Sequence, residues 1–205
     1  MLPGLELRRL DNLFFALRPQ REIVPALDAA AAGAALRHGL YGKPLGETRY
    51  HVSLQSVMAL EGVPDSTVGR IDQAARMIDL PAFEIRFDRI MSFGGRYGKH
   101  ALVLAGCMSP DAQALYRQLG LAMRAVGLRS GSGRFVPHVT LLYDRKRIDM
   151  EAVEPISWRV TGFVLIDSLQ GRSIHEEKGC WPLRELISAA SPAGKRRRRE
   201  PTGGA

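Results

Sequence analysis

A chain of 205 residues, 45% hydrophobic and 24% charged, has the balance of a globular protein; this excludes a disordered or fibrous chain and allows one domain or two closely packed lobes. The formal charge of +8 is concentrated at one end, where Lys195, Arg196, Arg197, Arg198 and Arg199 form a run beside Glu200. Setting these six aside takes the 29 basic and 21 acidic residues to 24 and 20, a body charge of +4 that favours polyanionic partners and predicts attraction that weakens with salt.

In chain order, residues 13–17 form an apolar run stopped by Pro19, which reads as a buried strand leading into a helix near Glu22. The alanine-rich residues 23–36 have high helix propensity. Gly42, Pro44 and Gly46 break the chain before a strand predicted over residues 49–57. Pro64, Asp65 and Ser66 then mark a turn and a helix start for residues 68–77, and residues 83–91 resume an extended pattern. Gly94, Gly95 and Gly98, interleaved with Arg96, Tyr97 and Lys99, predict a loop that is either a plain hairpin or a ligand contact. After a short strand at residues 101–105, Ser109, Pro110 and Asp111 supply a cap and first turn for a helix running toward Val126. Gly131 and Gly133 open a second loop before strands predicted over residues 134–143, 156–160, 163–169 and 173–181. The order predicts mixed α and β structure with more strands than helices. Residues 191–205, rich in Pro, Gly and basic side chains, predict a disordered basic tail.

No apolar run approaches the roughly 20 residues that span a bilayer, and the start of the chain lacks the regions of a signal peptide. Cytoplasm is the expected compartment. Cys107 and Cys180 are too few for a disulfide scaffold and read as reduced thiols.

The strongest pattern is a repeat. His51-Val52-Ser53-Leu54 is matched 87 residues later by His138-Val139-Thr140-Leu141, each inside a predicted strand. Residues two apart on a strand share a face, so His51 joins Ser53 and His138 joins Thr140, while the aliphatic residues between them turn to the interior. If the two strands meet, a phosphate fits between them. The hydroxyls of Ser53 and Thr140 are then placed to bind its nonbridging oxygens, and the imidazoles to act as acid and base on opposite sides of phosphorus, which suits a side chain with a reference pKa of about 6.5. A zinc site is disfavoured because no Asp, Glu or Cys stands at ligand spacing from either histidine. A serine nucleophile is disfavoured because Ser53 lacks a Gly-x-Ser-x-Gly elbow. His38, His100 and His175 have no repeated setting and stay outside the expected site. Arg134 and Phe135, ahead of the second motif, and Arg96 and Tyr97, in the glycine-rich loop, are candidate substrate contacts.

The sequence resembles the two-histidine phosphoesterases, and within them the bacterial RNA 2',3'-cyclic phosphodiesterases also called 2'-5' RNA ligases. The resemblance covers roughly residues 11 to 184. It rests on Leu13-Phe14-Phe15-Ala16-Leu17 followed by Pro19, on His51-Val52-Ser53-Leu54, on Phe135-Val136-Pro137-His138-Val139-Thr140-Leu141, and on Phe163-Val164-Leu165-Ile166-Asp167-Ser168 followed by Cys180-Trp181-Pro182-Leu183. It implies an α+β, bilobal fold with two pseudo-symmetric antiparallel sheets, outer helices and a central cleft. It further implies hydrolysis of a 2',3'-cyclic phosphate at an RNA or oligonucleotide end to a 2'-phosphate, reversible 2'-5' joining as a side activity, no metal or organic cofactor, and a monomer. The first motif has Val52 and Ser53 where Leu and Thr are frequent in the family, and Gln55-Ser56-Val57 follows Leu54 in place of Phe-Leu-Gly. Action on another small cyclic nucleotide phosphate, or RNA binding without catalysis, are the alternative readings.

Overall fold

Apolar runs without polar alternation, such as residues 13–17 and 101–105, are buried on both faces. The computed structural model describes residues 11–57, 65–95, 98–106, 109–131, 133–169 and 174–185. The tail of residues 191–205, together with Cys107, Arg96 and Tyr97, lies outside them. The elements are β1 (Asp11–Leu17), α1 (Val24–His38), β2 (Val52–Val57), α2 (Asp65–Arg76), β3 (Phe83–Phe93), β4 (His100–Gly106), α3 (Pro110–Ala125), β5 (His138–Asp144), β6 (Glu151–Val160), β7 (Gly162–Leu169) and β8 (Ile174–Pro182). Among the described residues no helix is long and apolar enough to cross a membrane.

All eight strands join one antiparallel sheet in the order β6-β3-β4-β5-β2-β1-β7-β8. This corrects the expectation of two separate sheets. The α+β class and outer helices stand, but the two four-stranded halves are continuous, because β2 and β5 pair antiparallel at Val52 and Val139. Each histidine strand has the strand that precedes it in sequence as its outer neighbour, β4 beside β5 and β1 beside β2, so a pseudo-twofold axis passes beside the valine pair.

One face of the sheet packs under the helices. Leu13, Phe15 and Leu17 of β1 and Leu102 and Leu104 of β4 enter the main core with Leu27 of α1 and Leu115, Leu119 and Met123 of α3. Ser109 caps α3 by accepting from the Ala112 amide at 3.2 Å, with Pro110 in its first turn, as its sequence predicts. The helices cross the seam: α1, which follows β1, packs behind β5 and β6, whereas α3, which follows β4, packs behind β2. The opposite face carries two smaller apolar clusters, one of Phe14, Ala16, Val164 and Ile166, the other of Ala101, Val103 and Ala105 with Met91 and Phe93 against them.

The two seam strands begin later than their sequence suggests. A 3-10 turn over Glu47–Arg49 precedes β2, and β5 starts at His138, directly after Pro137, which has no amide to donate to a ladder. Each strand also carries one extra residue. Phe14 and Ala16 of β1 face Ser56 and Ser53 of β2, and Leu102 and Val103 of β4 face Leu142 and Thr140 of β5. These are β-bulges, and they sit at the same place in both repeats: after Leu54 and Leu141 a second buried residue follows, Gln55 or Leu142, before the next outward position at Ser56 or Tyr143.

Past their short overlap the seam strands diverge, and the gaps are filled. On one side the Gln55 amide donates to the Tyr116 carbonyl at 3.0 Å, and its oxygen accepts from the Gly131 amide at 2.8 Å. On the other, the Leu45 amide donates to the Leu141 carbonyl at 2.8 Å, and Asp144 accepts from the amides of Tyr41 at 2.6 Å, Gly42 at 2.8 Å and Lys146 at 2.8 Å. Only glycine fits at position 42, since a Cβ there would strike the Tyr143 carbonyl oxygen. Asp144→Ala would leave three amides without their acceptor, and we expect a loss of about 1–3 kcal/mol of folding stability, read as a lower urea midpoint at unchanged slope.

Candidate active site

The antiparallel pairing of Val52 with Val139 determines what stands on the open face at the seam. One step to either side, His51 falls beside Thr140 and Ser53 beside His138, so the four motif residues form one square with the imidazoles on a diagonal. All four line a cavity of about 620 Å³ together with Ser56 and Tyr143, the next outward positions after the bulges.

The two imidazoles are held alike. His51 Nδ1 lies 2.7 Å from the Arg49 carbonyl oxygen and His138 Nδ1 lies 2.7 Å from that of Val136, two residues back in each case. A carbonyl only accepts, so each Nδ1 carries its hydrogen and each Nε2 is left as the nitrogen that gains or loses a proton. An aromatic ring backs each: Phe14 with its centroid 5.0 Å from that of His51, and Phe93 at 4.9 Å from His138. Pairs of hydroxyl donors beside paired, oriented imidazoles form an arrangement suited to proton transfer at a bound oxyanion.

The sequence signature of the 2'-5' RNA ligase superfamily matches residues 24–172, a span that holds both histidine motifs. The chain belongs to this superfamily. Its chemistry is accordingly that of the superfamily's phosphoesterases and ligases. No curated protein matches the chain in sequence. Among solved structures it is similar to LigT of E. coli in apo form, at 23% identity and a TM-score of 0.65 over 86% of this chain and 99% of that one. LigT of E. coli complexed with 3'-AMP gives 23% identity and 0.64 over 84% and 98%. A structure from Thermus thermophilus gives 19% and 0.66 over 85% and 98%. These likenesses establish the superfamily fold.

The remaining candidates separate. Gly94, Gly95 and Lys99 reach the cavity, so the glycine-rich loop does touch the site, while Arg96 and Tyr97 within it lie outside the described residues. The structure does not bring Arg134 and Phe135 to this cavity. They line a second one, of about 530 Å³, with Gln113, Tyr116, Arg117 and Arg124, where Phe135 stacks on Tyr116 with centroids 4.7 Å apart. The strand predicted over residues 134–143 begins only after Pro137, so Arg134 and Phe135 precede it.

His175, which the sequence leaves outside the site, is inside it. It comes from β8, opposite Ser168, and its ring meets that of His51 edge-on with centroids 5.1 Å apart. His38 and His100 stay outside, the former on Glu151 at 2.9 Å. Arg49 lines the cavity as well, and among the described residues no carboxylate does. Nor, among those residues, is any group of three or more His, Cys, Asp or Glu placed to hold a metal ion.

Burial is the main cause that lowers the His51 pKa to about 4; nearby positive charge at His175, Arg18 and His138 adds to it, and the hydrogen bond to the Arg49 carbonyl opposes it. Burial, then the charges of Arg49 and Arg18, lower His175 to about 4. His138 is lowered too, by burial, against its bond to Val136. The free site therefore holds neutral rings at pH 7. Because the unfolded chain binds these protons near pH 6.5 and the folded chain only near 4, the stability contributed by the neutral rings is complete above pH 6.5 and is lost as pH falls toward 4. Histidine NMR titration of the free protein should place His51 and His175 near pH 4, with inorganic phosphate moving His51 upward. A His51 midpoint at 6.5 or above without ligand would contradict the environment assigned to it.

Proposed function

We propose that the protein hydrolyses 2',3'-cyclic phosphate ends of RNA or oligonucleotides to 2'-phosphates, with His138 as general base and His51 as general acid. The observation that carries this reading is the matched pair of imidazoles, each with Nδ1 bound to a carbonyl two residues back and Nε2 left for proton transfer. A lining of Ser53, Thr140 and Lys99, with no carboxylate among its described residues, is chemically suited to an anionic phosphate. Superfamily membership supports phosphoester chemistry, and the E. coli LigT complex with 3'-AMP supports a nucleotide-sized ligand.

The cyclic phosphate binds with its nonbridging oxygens toward the hydroxyls of Ser53 and Thr140. Its negative charge favours imidazolium and offsets the burial that keeps His51 neutral in the free site, so substrate itself arms the acid. Nε2 of His138 takes a proton from water as the water oxygen bonds to phosphorus. The P–O3' bond breaks, and Nε2–H of His51 protonates the departing 3'-oxygen. The phosphate stays on the 2'-oxygen. In joining, a 5'-hydroxyl takes the place of water and the histidines keep their duties; they exchange them only when a 2'-5' bond is cleaved back to the cyclic phosphate. Proton transfer is within the reach of the protein's own side chains, so none of these steps calls on a cofactor.

His51→Ala and His138→Ala should each lower turnover of adenosine 2',3'-cyclic phosphate by roughly 10²- to 10⁴-fold while the circular dichroism spectrum is unchanged. Near-normal turnover in either variant would defeat the shared site. Ser53→Ala and Thr140→Ala should be milder, since both proton carriers remain.

Replacing the leaving 3'-oxygen by sulfur, which departs without protonation, tests the direction. His51→Ala should recover most of its lost rate on the sulfur substrate and His138→Ala should not; the reverse pattern would exchange the two roles.

A further inference from the structure

The pseudo-twofold that equates His51 with His138 is broken by what surrounds them. Arg49 and Val136 play one backbone part, each giving its carbonyl to the histidine two residues on, yet one side chain is a guanidinium and the other is aliphatic. Phe14 and Phe93 back the two rings alike, but His51 also meets His175 edge-on. Thus the wall past His51 is rich in nitrogen, and the wall past His138 is formed by Phe93, Tyr143 and the glycine-rich loop with Lys99.

Two of these nitrogens lack partners. Arg49 Nε and His175 Nδ1 are buried and make no hydrogen bond among the described residues. Both residues line the cavity, where no carboxylate is among the described lining residues, and neither side chain has a hydrogen-bond or ion-pair partner among those residues; an unpaired guanidinium beside an imidazole there favours an anion from outside. The phosphate between Ser53 and Thr140 already has its own donors. A cavity of about 620 Å³ also exceeds what one phosphate group occupies and lies in the range that holds a nucleotide-sized ligand.

We propose that Arg49 and His175 form a second anion subsite beside His51, which binds the phosphate on the 5'-oxygen of the nucleotide whose cyclic phosphate is cleaved. The inference rests on the reading of His51 as the acid. The departing 3'-oxygen stays on the ribose, so the nucleoside and its 5'-phosphate lie on the His51 side, against the nitrogen-rich wall, and the His138 side is left to water. An oligonucleotide end always carries that 5'-phosphodiester, whereas a nucleoside 2',3'-cyclic phosphate does not. The subsite therefore selects chain ends over free cyclic nucleosides, a discrimination that the symmetric pair of histidines cannot make.

The test compares ligands that differ only by the 5'-phosphate. Calorimetric binding of 2'-AMP and of adenosine 2',5'-bisphosphate is measured for the wild type, Arg49→Met and His175→Gln, alongside hydrolysis of adenosine 2',3'-cyclic phosphate and its 5'-phosphorylated form. We expect the wild type to favour the 5'-phosphorylated ligand by about tenfold or more, as a charge-assisted hydrogen bond gives, and this ratio to fall toward one in both variants and to shrink as salt rises. Met and Gln keep most of the side-chain volume, and the ratio cancels any general effect on His51. Equal affinity of the wild type for both ligands, or a ratio that survives in both variants, would overturn the subsite. A binding preference intact in a protein that cleaves neither cyclic substrate would instead overturn the phosphodiesterase reading and leave the anion subsite standing.

Discussion

The antiparallel contact of Val52 with Val139 is the constraint from which the site follows. Antiparallel neighbours are fixed once one pair is fixed, so this contact alone puts His51 beside Thr140, His138 beside Ser53 and all four on one face. A slip of one residue would put the two imidazoles on opposite faces, one of them in the helix-covered core. The register is protected because Val52 and Val139 are themselves fully buried under the helices. It is protected again by the hydrogen bonds of Gln55 and Asp144, which close the gaps where the strands part.

The repeated motif was legible because both histidine strands obey the two-residue period over the four residues that matter. Beyond that the bulges intervene. Ser56 and Tyr143 reach the cavity five residues after their histidines, an odd spacing that alternation assigns to the opposite face. An inserted residue depends on how neighbouring strands share a ladder and leaves little trace in a single strand's sequence. Arg134 and Phe135 stand ahead of Pro137, where the ladder has not begun, so a strand predicted from residue 134 does not bring them to the cavity. His175 had no local signal, for its place beside His51 comes from the pairing of β8 with β7 and of β7 with β1. Helix signals were more robust, as with the cap at Ser109, because a cap is written within four consecutive residues.

The electrostatics of the cavity follow from the same placement. Burial favours the neutral imidazole, and the surrounding cations favour it further, so charge in the free site stays on arginine and lysine. An arriving anion reverses the balance at the ring it touches. Acid and base are then distinguished by where the ligand sits and need no difference in how the two rings are held, which the equal 2.7 Å anchors make nearly the same.

The crossing of the helices over the seam bears on how this molecule comes apart. β7 and β8 return to the half begun by β1 and β2, and α1 and α3 each shield strands of the half opposite to the strand they follow. A fragment holding one histidine motif would lack either the hairpin that completes its half or the helix that keeps its apolar face from water. The internal repeat is therefore one of geometry and not of autonomy: neither half is a folding unit, and the sheet should form and melt as a single cooperative body in which the two imidazoles are gained or lost together.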